Sequence, residues 1–257
     1  MKIAVLGIGL MGKPMVENLV AAGHELHIWN RSQHKAEALN TIATCHKLPN
    51  EAAAHAEVLI TMLYDGAITS EVLIASKVMQ DCPANCLVIN MGSVEPERDR
   101  ALAKTAISLG KRYLDAPVSG GVKGAETASL SIFVGGNPED MDFALPIFQA
   151  LGRPHYLGLH GAGQSAKLAN QLIVAITIGA VAEAFQLARL AGCDLSALHK
   201  ALQGGFADSR ILVEHGERMI KGDYTPGGRS RSQLKDIHNA QHMATHPISS
   251  SLENKYK

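Results

Sequence analysis

Lys167, Asn170 and Gln171 stand at i, i+3 and i+4 in the run Gly161-Ala162-Gly163-Gln164-Ser165-Ala166-Lys167-Leu168-Ala169-Asn170-Gln171. A helix through this run presents an amine and two amides on one face. From Gln164 to Ala191 the chain has no Pro, one Gly at 179, and mostly Ala, Leu, Ile and Val. An ammonium in such surroundings costs desolvation unless it has a counter-ion or a chemical task. Burial and the nearby helix N-terminus both lower a lysine pKa toward the range where it exchanges protons. The chemistry on offer is general acid–base catalysis by Lys167. Taken alone, the same lysine also fits a snorkelling position at a domain edge.

Two further runs supply binding chemistry. In Asp115-Ala116-Pro117-Val118-Ser119-Gly120-Gly121-Val122-Lys123-Gly124, the Ser119 hydroxyl and the backbone N–H groups of Gly120 and Gly121 can be aimed at a carboxylate. A plain flexible turn has the same composition. Gly7-Ile8-Gly9-Leu10-Met11-Gly12 leaves one strand pattern and opens a helix pattern ahead of a second strand. Gly7 permits the tight turn, Gly9 lets a pyrophosphate approach the backbone, and Gly12 allows close helix–strand packing. Free N–H groups at the helix start, with Leu10 and Met11 in the turn, then face the phosphates. The second strand ends in Asn30-Arg31-Ser32, where an NAD-specific site places an acidic residue for the ribose hydroxyls. A guanidinium and a hydroxyl suit a phosphate dianion instead, so NADPH is expected in preference to NADH, with NAD possible.

The elements that must position these groups are legible in the pattern. Strands are expected at 2–6, 25–29, 58–62, 87–90, 113–115, 130–134 and 155–157. Several, such as Ile3-Ala4-Val5-Leu6, are apolar on consecutive residues, as strands covered on both faces are. Helix patterns at 13–22, 33–43, 68–79 and 97–109 alternate with them, which implies right-handed βαβ units in a doubly wound sheet. The character changes at Gly161. The 164–191 segment reads as a helix of roughly 40 Å, apolar around most of its circumference and therefore expected to be buried. More helix follows at 195–202, 209–220 and 232–244. The expected fold is α/β: an NADP-binding Rossmann domain over 1–160, then an all-α substrate and oligomerisation domain over 161–257.

Composition narrows the class. The 257 residues carry 24 basic and 24 acidic side chains, so no net field gathers nucleic acid or anionic lipid. The longest uninterrupted apolar run, 172–182, is too short to span a bilayer, and the chain enters a strand at once without signal-peptide anatomy. A soluble cytoplasmic protein is expected, with a small-molecule substrate and neither nucleic acid nor membrane as partner. Four scattered cysteines make no disulfide framework. Cys82 and Cys86 read as loop thiols rather than zinc ligands. His238, His242 and His246, at i, i+4 and i+8, read as a solvated helix face, and no metal is expected.

The four runs Gly7–Gly12, Asp115–Gly121, Gly161–Gln171 and Lys235-Asp236 occur in an order that resembles the β-hydroxyacid dehydrogenase family over residues 1 to about 240. The resemblance implies hydride exchange between NADP(H) and a small β-hydroxyacid or semialdehyde, of the 3-hydroxyisobutyrate or 2-hydroxy-3-oxopropionate type. It implies Lys167 as catalytic acid/base, with Asn170 helping to hold the reacting oxygen. Ser119, Gly120, Gly121 and Gln171 fall to the substrate, while Met62, Leu63 and Ser93 line the nicotinamide–ribose side and Lys235 sits near cofactor and substrate. Family members are typically dimers or tetramers, and a homodimer or homotetramer paired through the apolar helix is expected here. Only 22 residues follow Lys235, whereas relatives continue through further helices that wall the active site. Two alternatives stand beside this reading: an imine reductase-like enzyme, against which Lys167 argues, and a cofactor-binding protein without turnover.

Overall fold

The computed structural model describes residues 1–225 and 230–244. The chain divides into two compact units, the first running from Met1 to Lys167 and the second starting at Leu168.

The first unit is built on one sheet. Strands β1 (Lys2–Leu6), β2 (Glu25–Trp29), β3 (Thr44–Cys45), β4 (Val58–Thr61), β5 (Leu87–Asn90) and β6 (Arg112–Asp115) lie parallel in the order β3-β2-β1-β4-β5-β6. Alternation along each strand feeds two cores. Ile3 and Val5 of β1 join Ile28, Ile60 and Ile89 on one face, while Ala4 and Leu6 join Leu59, Val88 and Leu102 on the other. That two-sided burial is why these strands read as continuous apolar runs. The chain leaves β1 toward β2 and β3, then returns to place β4 on β1's other side. The crevice for a ligand opens outside the carboxyl ends of β1 and β4, where the winding reverses.

Parallel winding stops at β6. β7 (Val118–Ser119), β8 (Leu130–Gly136) and β9 (Gly152–Gly158) complete the sheet, with β8 antiparallel to β6 and β7 and parallel to β9. The parallel winding is thus interrupted between β6 and β8 and taken up again by β8, the helix Pro138–Gln149 and β9. The only helix between β6 and β8 spans Gly121–Glu126, roughly 9 Å at 1.5 Å per residue, too little to carry the chain back along the sheet.

The helices of this unit are α1 (Gly12–Ala21), α2 (Gln33–Glu37), α3 (Pro49–Ala53), α4 (Gly66–Ser70), α5 (Val78–Asp81), α6 (Pro96–Ser108), α7 (Gly121–Glu126) and α8 (Pro138–Gln149). The helix expected at 68–79 runs from α4 directly into a π-helical turn over Glu71–Ala75 and is broken only before α5, where Lys77 takes a left-handed φ of 58°. The one expected at 33–43 stops at Glu37, where i→i+3 turns through Leu39 and Asn40 take over. Cys82 and Cys86 lie in the α5–β5 connection, as loop thiols, and are buried members of the second core. All four cysteines are free.

α9 (Ala162–Leu190) begins in the first unit and continues into the second, which adds α10 (Leu195–Leu202), α11 (Glu217–Lys221) and α12 (Ser230–Ala244). Asp194 caps α10 by accepting from the N–H groups of Ser196 and Ala197 at 2.7 and 3.0 Å. Val181, Phe185 and Leu212 form a small core with Leu195, Leu198, Leu202, Met219 and Ile220 around it. The expectation that α9 is buried fails over most of its length. Ile173, Ile176, Leu187 and Leu190 are 67, 63, 72 and 77% exposed. α9 is also long and apolar enough to cross a bilayer, which the 172–182 run by itself conceals. Length and composition fit equally a helix whose apolar faces meet protein, and its buried residues Leu168, Val181 and Phe185 are covered by protein.

Candidate active site

The turn from β1 into α1 has the shape of a phosphate cradle. Gly7 takes φ +111°, and a Cβ there would lie 2.4 Å from the Met62 carbonyl oxygen. At Gly12 a Cβ would lie 1.9 Å from the Gly7 carbonyl oxygen, so any side chain pushes α1 off the strand. Around Gly9 there is open space. Two glycines are thus demanded by protein packing. The third leaves room beside bare backbone, which fits a dinucleotide pyrophosphate at a helix start. Leu10 is 63% exposed at the tip of the turn. Met62 and Leu63 follow β4 directly, half-buried beside the cradle, and the Met62 N–H donates to Leu6 O at 2.9 Å.

At the end of β2 the three candidates separate. Asn30 is a brace: its Oδ1 accepts from the Ile8 N–H at 2.9 Å and its Nδ2 donates to Ser32 O at 3.0 Å. It locks the glycine turn to the β2–α2 turn. Arg31 is exposed and makes no ion pair among the described residues, and Ser32 is half-buried at the start of α2. Arg31 is therefore available to a ligand at this corner.

Beyond β5 and β6 lies a buried polar network of which the sequence pattern had marked only the flanks. Asp99 of α6 is fully buried and accepts from Tyr113 Oη, from Asn90 Nδ2 at 3.1 Å and from Gln164 Nε2 at 2.7 Å. Asn90 Oδ1 accepts from Thr61 Oγ1 at 2.9 Å and from the Gly92 N–H at 3.2 Å. Asp115, at the end of β6, accepts from the N–H of Gly161 at 2.7 Å and of Gln164 at 2.9 Å. Burial drives both carboxyls upward, and Asp115 adds repulsion that helps bring Asp99 to about 7. Lys167 stands one turn after Gln164 on α9 and is buried, with 8% of its surface exposed. Ser93, half-buried, lies in the loop that Gln164 grips through Gly92 and Val94.

Asp99 should leave a trace in stability. Its carboxyl is held near 7 in the folded chain against an ordinary 3.8. The native state therefore retains the proton longer, and the stability Asp99 contributes fades as pH rises from about 4 through about 7. The melting-temperature difference between wild type and Asp99→Asn is expected to shrink across that window, as followed by thermal melts. A difference constant with pH would refute it.

The remaining candidates have their own partners. Ser119 pairs with Ser131 across β7 and β8, and Gly120 and Gly121 take φ of +133° and +63°, a backbone that L side chains rarely adopt. In the second unit Gln171 Nε2 donates to Asp236 Oδ2 at 2.7 Å and to Gln233 Oε1 at 3.0 Å, tying α9 to α12. Asn170 Nδ2 donates to Gln171 Oε1 at 2.9 Å, and Lys235 Nζ pairs with Asp236 Oδ1 at 3.1 Å. Gln171 thus has a structural task that the helical spacing could not reveal. His238 and His242 are exposed on α12, and His246 lies outside the described residues.

A sequence profile described as the NAD binding domain of 6-phosphogluconate dehydrogenase matches residues 2–163. One described as NAD-binding of NADP-dependent 3-hydroxyisobutyrate dehydrogenase matches residues 161–249. The chain is 39% identical over 249 residues to 2-hydroxy-3-oxopropionate reductase of Escherichia coli K12, covering 95% of this chain and 84% of that protein. It is similar to the structure of 3-hydroxyisobutyrate dehydrogenase from Mycobacterium tuberculosis with L-serine, at TM-score 0.86 and 30% identity, over 97% of this chain and 90% of the other. An imine reductase from Pseudomonas sp. shares the fold at TM-score 0.72 and 24% identity, over 97% and 89% of the two chains. Fold, cradle and matches together define an oxidoreductase that uses a nicotinamide dinucleotide. The chain belongs to the β-hydroxyacid dehydrogenase family, as an NAD(P)-dependent hydroxyacid dehydrogenase of the 3-hydroxyisobutyrate dehydrogenase and tartronate semialdehyde reductase type.

Proposed function

We propose that this enzyme interconverts a short carboxylate-bearing semialdehyde and its alcohol, with 2-hydroxy-3-oxopropionate as the leading substrate and NADPH as the preferred dinucleotide. The observation that carries the chemistry is a buried lysine one turn into a helix whose start is hydrogen-bonded to the sheet. The name of the 39%-identical relative supports the substrate, and an exposed Arg31 where an NAD site has an acid supports the dinucleotide.

When bound, the nicotinamide supplies or accepts the hydride. The protein's residues do the rest. The Lys167 ammonium donates a proton to the carbonyl oxygen in reduction and, as the amine, removes it in oxidation. Its charge, shielded from water, stabilises negative charge developing on that oxygen. On this reading Asn170 holds the reacting oxygen, and Ser119 with Gly120 and Gly121 anchors the carboxylate. Fixing the carboxylate orients the carbonyl and restricts substrates to small acids. Gly7, Gly9, Leu10, Met11 and Gly12 hold the pyrophosphate, Arg31 and Ser32 the 2′-phosphate, and Met62, Leu63 and Ser93 the nicotinamide side.

A panel of tartronate, methylmalonate, succinic and glyoxylic semialdehydes with NADPH and NADH tests both parts. Arg31→Asp should shift the NADPH-to-NADH ratio of kcat/KM by about 10-fold or more toward NADH, the size of one lost charge-assisted contact. An unchanged ratio refutes the role of Arg31. The exposed apolar residues of α9 support a second copy of this chain as their cover. A dimeric or tetrameric mass is expected by light scattering, and a monomeric mass overturns it.

A further inference from the structure

Nothing in the proposed chemistry explains why two carboxylates, a tyrosine, an asparagine and a glutamine are buried together behind it. Burying such groups is costly unless every one is satisfied. Here they satisfy one another, and both carboxyls, Asp99 and Asp115, reach one short segment, the first turn of α9. That turn has no acidic residue of its own to neutralise its N–H groups. Asp115 does so from the end of β6, accepting from the Gly161 and Gln164 N–H groups at 2.7 and 2.9 Å. A carboxylate at a helix start is favourable both as a cap and against the helix dipole.

Gln164 fastens the same turn from the other side. Its Oε1 accepts from the Val94 N–H at 3.1 Å, and its Nε2 donates to Gly92 O at 2.8 Å and Asp99 Oδ2 at 2.7 Å. Both ends of one amide are therefore used on the β5–α6 loop and on α6. Packing admits no slack. A Cβ at Gly163 would lie 2.2 Å from Phe133 O, and one at Gly135 would lie 2.7 Å from Asp115 Oδ1 and 2.8 Å from Gly163 N. Gln164 and Lys167 are three residues apart, on one face of the helix. The amide that grips the loop around Ser93 thus sits one turn below the amine.

We propose that Gln164 and Asp115 are positioning residues for hydride transfer, acting through Lys167: they fix the first turn of α9 against the ends of β5 and β6 and so set the place of its amine. This rests on Lys167 being the acid/base. Asp99 is the anchor against which the Gln164 amide is held.

The test is a double-mutant cycle in single turnovers, with wild type, Gln164→Met, Lys167→Ala and the double variant, and with dinucleotide affinity measured for each. Gln164→Met is expected to lower the rate about 10- to 100-fold, the scale of a misplacement near 1 Å, with dinucleotide affinity changed less than about 3-fold. In the Lys167→Ala background the same change should cost less than about 3-fold, since there is no amine left to misplace. Equal losses in both backgrounds, or an unchanged rate in the wild-type background, overturn the proposal. Full activity in Lys167→Ala overturns the reading of Lys167 itself, and the positioning role with it. Gln164→Glu is a second test should the methionine variant fail to fold. Its carboxyl still accepts from Val94 N–H but can donate to Gly92 or Asp99 only when protonated, so its rate should recover toward wild type as pH is lowered. A pH profile parallel to that of wild type overturns the proposal.

Discussion

Lys167→Ala is expected to lose at least about 100-fold in kcat, the lower bound of what a positioned general acid contributes, while the dinucleotide binds nearly as before. The amine is buried and lies beyond a helix start held by Asp115 and Gln164. Water cannot take its place with the same preorganisation, and the developing oxyanion loses a nearby charge in a low-dielectric setting. The dinucleotide cradle, by contrast, is made of residues from β1, α1 and the loop after β4. Lys167→Arg separates the two contributions, because a guanidinium retains charge but does not give up a proton near neutral pH. It should fall between wild type and alanine. A Lys167→Ala enzyme that turns over at the wild-type rate would end the general-acid account.

Gly12→Ala and Gly9→Ala should fail in different ways. The Gly12 Cβ would sit 1.9 Å from Gly7 O, far inside contact distance and against backbone. Relief requires α1 to move away from β1, at a cost on the order of 1–3 kcal/mol for overpacking. The melting temperature of the dinucleotide-free protein should then drop by several degrees, roughly 2–4 °C per kcal/mol for a chain of this size. Binding should weaken with it, as the N–H groups of the turn lose their aim. At Gly9 the added methyl meets open space, so dinucleotide-free stability should stay at the wild-type value. That methyl instead occupies the pyrophosphate's place, and affinity should fall about 10-fold or more, the effect of roughly 1.4 kcal/mol. Melting curves with and without NADPH distinguish the two. If both variants weakened binding without any loss of stability, packing would not be the reason for Gly12.

Much of the architecture was open to reading because local chemistry repeats itself. Ile3-Ala4-Val5-Leu6 and Leu87-Val88-Ile89 are apolar on successive residues because both faces of the sheet are covered. The three glycines were legible because they repeat a short, local spacing at a strand-to-helix turn, although the crowding at Gly7 comes from the distant Met62 carbonyl. Gln164, Asp115, Asp99, Asn90 and Tyr113 were less so, since each gains meaning only from partners 9 to 72 residues away. One signal was present: Asn90 closes the otherwise apolar β5 and Asp115 closes β6, the position where an α/β sheet gathers its functional groups. The helix spacing put Gln171 on one face with Lys167 and Asn170, yet it could not show that its amide bonds Gln233 and Asp236.

The amino-acid order by itself determined the α/β class, the glycine turn of the dinucleotide-binding domain and the family, because these follow from short-range spacing and from side-chain type. Only the folded chain decided that β8 turns antiparallel, that α9 leaves an apolar face uncovered, and that its first turn is capped by a carboxylate from a different strand. Those outcomes depend on which distant backbone and side-chain groups meet once water is excluded, and hydrogen-bond satisfaction in a buried site is settled by tertiary contact rather than by neighbours in sequence.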